Sequence, residues 1–229
     1  MNQITTEAII LKRLNFSEAD RILTVLTPDM GKVSILAKGV RRSKSKLAGG
    51  LELFSVTDIA FIDGKSELKT AISTRLKTHF RNIVKDVKRT MAGYDFMKII
   101  DEFTQHSSET QYYELLQTGL TSLDDTTVEL SVSQVWFYTH LLQVHGSNIN
   151  IEKPLNAKSF SENETYNFSF DDMSFLTSPA GQFSPSHIKL LRICALASSP
   201  KKLTSIQSHE QLTLDMAKTL QEAAVMNKA

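Results

Sequence analysis

The stretch that decides the fold of the N-terminal part reads Arg21-Ile22-Leu23-Thr24-Val25-Leu26-Thr27, then Pro28-Asp29-Met30-Gly31, then Lys32-Val33-Ser34-Ile35-Leu36-Ala37. Two short β-rich runs flank a turn in which proline and glycine occupy the positions that suit them. This pattern predicts a β-hairpin.

Three more β-rich runs surround the hairpin, at residues 7–11, 54–62 and 67–73. Five short strands in about 75 residues predict a small barrel. An OB-like barrel fits that number of strands, and its open face and loops bind oligonucleotides. An SH3-like barrel fits nearly as well. In the run 54–62, apolar residues occupy both parities, so a bulge or a twist is needed to bury all of them.

The apolar period changes near residue 79. Phe80, Ile83, Val84, Val87 and Met91 recur at spacings of three and four, which is typical of a helix. We therefore predict an α+β protein with an OB-like five-stranded β-barrel at residues 1–78, followed by an α-helical domain at residues 79–229. An irregular segment at about 149–182 is predicted to interrupt the helical domain.

Within the helical domain, the pattern at residues 127–145 predicts a buried helix, so Trp136 is expected in the core. Alternating residues at 165–170 and 173–176 predict a hairpin inside the interrupting segment. Ser184-Pro185 suits a helix start, with serine as the cap and proline at the first helical position. A last helix is predicted at about 210–226.

Charge is divided unevenly along the 229 residues, although the net charge is only +1. Residues 1–90 hold 17 Lys and Arg against 9 Asp and Glu, a net of +8, and the remainder holds 9 against 16, a net of −7. The basic front suits a polyanion, whereas the acidic back is better placed to contact protein.

The basic charge is concentrated in Lys38-Gly39-Val40-Arg41-Arg42-Ser43-Lys44-Ser45-Lys46, with five cations in nine residues and no acid. We call residues 38–46 the basic tract. It lies between two predicted strands, and such a tract exchanges condensed counterions for backbone phosphates. The sequence therefore predicts a phosphate-binding surface loop.

Catalytic and metal-binding patterns are absent from the sequence. Cys194 is the single cysteine and lies in an apolar run, so it is expected in the core, and neither a disulfide nor a cysteine-based zinc site can form. No phosphate-loop, dinucleotide-binding, nucleophile-elbow or zincin motif occurs. We predict a protein that is not an enzyme and needs no cofactor. Without a signal peptide or a long apolar run, it is expected to be soluble and cytoplasmic, with no membrane association.

Four runs of the N-terminal half together resemble the bacterial RecO family of DNA repair proteins: residues 7–11, 18–27, 31–34 and 38–49. The resemblance implies an N-terminal OB domain, a helical domain and, in many members, a zinc-binding insertion. It also implies a recombination mediator that binds single- and double-stranded DNA and anneals complementary strands. The implied partners are RecR, the C-terminal tail of single-stranded DNA-binding protein and, indirectly, RecA, which the mediator helps to load.

Two departures from the family pattern bear on these expectations. The insertion lacks the four cysteines that hold zinc in many members, so zinc dependence is not expected, and the hairpin is expected to rest on Phe168, Phe170 and Phe175. A proline often found in the basic tract is replaced by Ser43, which is expected to make the loop more flexible without changing its charge.

The residues expected to contact DNA are all cationic. The basic tract supplies Lys38, Arg41, Arg42, Lys44 and Lys46, with Lys12, Arg13, Arg21 and Lys32 as neighbours. Arg21 follows Glu18 and Asp20 and could equally form an internal ion pair.

Two other functions compete with the DNA-binding hypothesis. In the first, the acidic helical half is an interaction scaffold, and Lys189 and Arg192 bind the tail of single-stranded DNA-binding protein. In the second, the chain is an OB-fold RNA-binding protein of translation. The run from residue 18 to residue 46 favours the RecO resemblance over the RNA-binding alternative.

Overall fold

The computed structural model describes residues 2–64, 66–105, 109–204 and 210–228. The chain divides into two compact units, Met1–Asp124 and Asp125–Ala229. The predicted domain boundary at residues 78 and 79 remains a prediction. It coincides with the end of the last barrel strand, whereas the two helices that follow belong to the first compact unit.

Five strands form the barrel of the first unit: β1 (Asn2–Asn15), β2 (Arg21–Thr27), β3 (Gly31–Ala37), β4 (Ser55–Asp63) and β5 (Lys69–His79). The barrel is closed in the order β1-β2-β3-β5-β4. The first half of β1 pairs with β4 and its second half with β2, and β3 and β5 are parallel. This arrangement is that of the OB fold rather than the SH3-like alternative, so the predicted OB-like barrel is confirmed.

Alternate residues of each strand fill the barrel interior, because successive side chains of a strand point to opposite faces. Its centre is fully buried and includes Ile10, Leu23, Ile35, Ile59 and Phe61. The connection between β3 and β4 also contributes the buried side chains of Val40 and Leu51 to this core. Both ends of the connection that carries the basic tract are therefore anchored in the barrel.

Strand β4 buries apolar residues of both parities, as its sequence requires. The register between β4 and β5 shifts twice, but the extra residues, Ile72 and Lys77, lie in β5. Strand β4 pairs with β1 without a break, so a bulge within β4 itself is not found. Phe54 nevertheless does not enter the barrel. It adopts a left-handed conformation with a φ of 55°, and its ring packs edge-on against Tyr94 of the following helix, with centroids 5.0 Å apart.

Two helices complete the first unit, α1 (Val87–Phe103) and α2 (Thr110–Asp124). The predicted helical pattern began at Phe80, but α1 starts only at Val87, where the Asp86 carboxylate accepts a hydrogen bond from the Arg89 backbone N–H at 3.0 Å. The expected apolar stripe was also wrong in part, because Val87 and Met91 are 76% and 62% exposed. The buried face of α1 instead includes Phe96 and Ile100.

The second unit contains α3 (Leu130–His145), the hairpin strands β6 (Tyr166–Ser169) and β7 (Ser174–Thr177), α4 (Pro185–Leu196) and α5 (Glu210–Met226). The core interpretation of α3 is confirmed, since Trp136 is 3% exposed and its indole N–H donates to the Ala197 carbonyl at 2.6 Å. The predicted cap at Ser184 and the hairpin are also confirmed, with Phe168 opposite Phe175. Among the described residues, no helix is both long and apolar enough to cross a membrane.

Candidate nucleic-acid interface

The basic tract follows β3 directly, and its conformation depends on one glycine and one carboxylate. Gly39 has a φ of 65°, a left-handed conformation that favours glycine. Its backbone N–H donates to the Asp20 carboxylate at 2.7 Å. This hydrogen bond is the main reason why the pKa of Asp20 is lowered, and the nearby charges of Lys38 and Arg42 act in the same direction. Asp20 therefore stays ionised and positions the start of the tract.

Arg41 attaches the tract to the loop between β1 and β2, at residues 16–20. Its backbone N–H donates to the Ala19 carbonyl at 3.0 Å, and its guanidinium donates to the Ser17 carbonyl at 3.1 Å. Together with the bond from Gly39 to Asp20, these contacts join two loops that are some twenty residues apart in sequence. The tract and the β1–β2 loop thus form one surface.

The tract exposes its cations while burying one apolar anchor. Val40 is 3% exposed, whereas all five cationic side chains are exposed: Lys38, Arg41, Arg42, Lys44 and Lys46. Within the described ranges, no carboxylate forms a salt bridge with any of these five. Unpaired exposed cations of this density are suited to neutralise phosphates.

Arg21 lies beside the start of the tract, because the register pairs it with Ala37 at the end of β3. Its side-chain Nε donates to the Asn15 side-chain oxygen at 3.1 Å. The sequence offered Glu18 and Asp20 as alternative partners. Asp20 accepts from Gly39 instead, and within the described ranges neither acid forms a salt bridge with Arg21. Arg21 therefore lies opposite the residue that directly precedes the basic tract.

The other three predicted neighbours are engaged by acids. Lys12 and Lys32 both bind the carboxylate of Asp101, which is buried, and Lys32 also donates to the Asp101 carbonyl at 2.7 Å. Arg13 forms an ion pair with Glu52 at 2.6 Å. These three cations are less available to phosphates than those of the tract.

Asp101 is a buried acid of the first unit that binds two lysines. Burial by itself would raise its pKa, but the hydrogen bonds and charges of Lys12 and Lys32 outweigh burial, so the pKa is lowered. A lowered pKa in the folded state stabilises the fold above the unfolded-state value of about 3.9. This contribution is lost as pH falls through the lower, folded-state pKa.

We expect Asp101→Asn to reduce the free energy of unfolding by about 1–3 kcal/mol at pH 7, because it leaves two lysines facing a neutral group. Urea unfolding followed by circular dichroism measures the difference, which should shrink below about pH 4 as wild-type Asp101 is protonated. The matched control is Glu52→Gln, which breaks an exposed pair and should cost less than about 1 kcal/mol. A difference that stays constant down to pH 2 would contradict this role.

A cavity of about 580 Å³ lies beside this cluster, between the outer face of β1 and β2 and helix α1. Its floor is apolar and includes Leu14, Ile22 and Met97, and Lys12 and Lys98 stand among its lining residues. Leu14 and its near neighbour Phe16 are 63% and 59% exposed. Neither residue is among the site residues predicted from the sequence. The signal that was available is an aromatic residue within the polar turn Asn15-Phe16-Ser17.

The barrel is similar to a domain of known proteins. Residues 1–80 match the protein-family model described as Recombination protein O N terminal. The N-terminal domain of this chain is therefore similar to the N-terminal domain of RecO proteins. The matched residues contain all five barrel strands and the whole basic tract.

Proteins named DNA repair protein RecO are similar over longer parts of the chain. The protein of Dehalococcoides mccartyi is 34% identical over 153 residues, which cover 66% of this chain and 60% of that protein. The protein of Alkaliphilus metalliredigens is 28% identical over 161 residues, or 70% of this chain and 65% of that protein. The protein of Rhodopirellula baltica is 41% identical over 88 residues, or 38% and 33%. The chain thus spans less than two thirds of the length of each of these relatives.

The segment predicted to interrupt the helical domain has an aromatic core. Phe175 is fully buried, and its ring centroid lies 5.1 Å from Phe168, 5.7 Å from Phe183 and 6.2 Å from Phe160. Two of the three predicted anchors are therefore in this cluster, while Phe170 packs at its edge against Phe168. Phe160 and Phe183 were not predicted.

Lys189 and Arg192, the two residues predicted to bind a protein tail, lie on α4 in the second unit. Lys189 forms an exposed ion pair with Glu162 at 2.7 Å. The Arg192 guanidinium donates to the Ile151 carbonyl at 2.6 and 2.8 Å and lies 5.3 Å from the centroid of Phe160. Arg192 thus holds the insertion against α4. In the described ranges, no group of three or more potential metal ligands occurs.

Proposed function

We propose that the chain is a DNA repair protein of the RecO type that binds single- and double-stranded DNA without sequence specificity and anneals complementary strands. We further propose that it acts as a recombination mediator and helps to load RecA. The observation that carries the proposal is the basic tract: five exposed cations, without salt-bridge partners in the described ranges, on an OB-like barrel similar to the N-terminal domain of RecO proteins.

Contacts to phosphates explain why binding would not depend on the DNA sequence. Phosphates are the same at every nucleotide, and side chains that reach only the backbone carry no information about the bases. The cations of the tract are proposed as the primary contacts, and Arg21 joins them because it lies beside Ala37. Lys12, Arg13 and Lys32 are proposed as secondary contacts, since each already has an acidic partner.

Annealing would follow from charge neutralisation. Two complementary strands repel each other through their phosphates, and cations that contact both strands reduce this repulsion. Base pairing then supplies the favourable free energy, so neither nucleotide hydrolysis nor any other catalytic step is needed. We therefore propose a protein that is not an enzyme.

The proposed protein partners are RecR and the C-terminal tail of single-stranded DNA-binding protein. Lys189 remains a candidate for the tail, because both it and its partner Glu162 are exposed and such a pair contributes little stability. Arg192 is a poorer probe of tail binding, because its truncation would also release the insertion from α4.

The proposal is tested by the annealing of two complementary oligonucleotides without ATP. We expect the protein to accelerate annealing, the acceleration to fall steeply with salt, and a zinc chelator to have no effect. Fluorescence of a donor and an acceptor on the two strands measures the rate. A protein that binds neither strand would contradict the proposal, and equal affinity and annealing with RNA strands would favour the RNA-binding alternative.

A further inference from the structure

Phe16 is an aromatic residue whose side chain is exposed to solvent in the folded protein. All twelve phenylalanines lie within the described residues, and Phe16 alone among them is exposed, at 59%. An exposed phenyl ring forgoes about 1.5–3 kcal/mol of burial free energy. Its position in a polar turn shows that the barrel core does not need it.

The loop that carries Phe16 is the one to which the basic tract is fastened. The backbone N–H of Phe16 donates to the Asp20 carbonyl at 3.2 Å, which closes the loop. The adjacent residue, Ser17, accepts the Arg41 guanidinium, and the Asp20 carboxylate accepts the Gly39 N–H. The Arg41 guanidinium and the Phe16 ring are therefore presented by one hydrogen-bonded surface.

A ligand for this surface must combine negative charge with a flat apolar face. Single-stranded DNA does so, because its phosphates are accompanied by bases whose faces are open, and stacking on aromatic side chains tolerates any base. A duplex offers the same phosphates but hides the faces of its bases in the stack. The excess of cations favours a nucleic acid over an acidic peptide, which carries fewer charges per unit length.

We propose that Phe16 stacks on an unpaired base of a strand whose phosphates contact the basic tract, and that this stacking gives the site its preference for single strands over duplex. The inference rests on the proposed DNA-binding function and deepens it. Phosphate contacts supply the affinity that single strands and duplexes share. Stacking on Phe16 adds affinity only for a single strand, because the faces of its bases are open.

Phe16→Ala tests the inference. We expect its affinity for a single strand to fall about 5- to 100-fold, its affinity for a duplex of equal length to stay within twofold, and its salt slope to remain unchanged because no charge is removed. Leu14→Ala is the matched control, since it removes an apolar side chain of similar exposure that has no aromatic face. Fluorescence anisotropy of labelled strands measures all three quantities.

Phe16→Trp supplies a direct signal. This variant should keep the wild-type affinity, and a bound single strand should quench the introduced indole, against a constant background from the buried Trp136. If wild type binds single strands but Phe16→Ala loses nothing and the indole is not quenched, the stacking inference is wrong while the proposed function stands. Equal losses for duplex and single strand, or quenching by an acidic peptide instead, would also overturn it. If wild type binds no DNA, both proposals fail.

Discussion

Replacing Arg42, Lys44 and Lys46 together by alanine is expected to lower the affinity for single-stranded DNA about 10- to 100-fold at moderate salt. The slope of log affinity against log salt should also become shallower by about 2, at about 0.7 per lost phosphate contact. These three side chains are exposed and form no salt bridge within the described ranges. Arg41 is left in place because it holds the tract on Ser17 and Ala19.

The control for this variant removes the same charge elsewhere. Lys153, Lys158 and Lys218 are exposed lysines of the second unit, and their joint replacement by alanine lowers the net charge equally. Titrations of a labelled oligonucleotide at several salt concentrations, with circular dichroism to verify folding, compare the two variants. Equal losses in both would show that affinity follows net charge rather than the basic tract, and an unchanged slope in the first would refute the assignment.

The barrel could be predicted from sequence because its determinants are local. Pro28 and Gly31 mark the β2–β3 turn, and alternation marks the strands on either side, so neither requires knowledge of distant residues. The exposure of the basic tract was predictable for the same reason, since consecutive cations have nothing to bury. The closure of β1 onto β4, which excludes the SH3-like alternative, joins strands some fifty residues apart and carries no local signal.

Contacts between residues far apart in the sequence determine the features of the site that could not be predicted. Asp101 lies 89 residues from Lys12 and 69 from Lys32 in the sequence. Both lysines bind this acid, unlike the cations of the basic tract, and composition cannot show that difference. Periodicity also fails to show which face of a helix is covered. Val87 and Met91 fit a helical stripe, yet α1 buries the adjacent face that contains Phe96.

The hairpin at residues 166–177 shows what alternation can and cannot predict. Alternation located the strands that carry Phe168 and Phe175, but Phe160 and Phe183 lie outside the hairpin and reach its core only in the folded unit. The other three rings surround Phe175 at centroid distances of 5.1–6.2 Å. Such aromatic pairs contribute about 0.5–1.5 kcal/mol each beyond the area they bury. Aromatic packing therefore stabilises this hairpin.

Phe175→Ala is expected to lower the free energy of unfolding of the second unit by about 3–5 kcal/mol, because it leaves a cavity at the centre of this cluster. Trp136 is the single tryptophan and is buried in the second unit, so its fluorescence during denaturant unfolding reports on that unit. Phe170→Ala is the matched control. Its ring is partly buried and packs against Phe168, so its removal should cost about 1 kcal/mol or less.

The DNA affinity of Phe175→Ala should remain at the wild-type level while the first unit stays folded, since the basic tract is held by contacts within the barrel unit. Added zinc should restore no stability, and a chelator should leave wild type unchanged, because rings rather than thiolates form the core of the insertion. If Phe175→Ala costs no more than Phe170→Ala, the aromatic cluster is not what orders the hairpin. If chelation destabilises wild type, a metal contributes after all, and the packing account of this insertion is wrong.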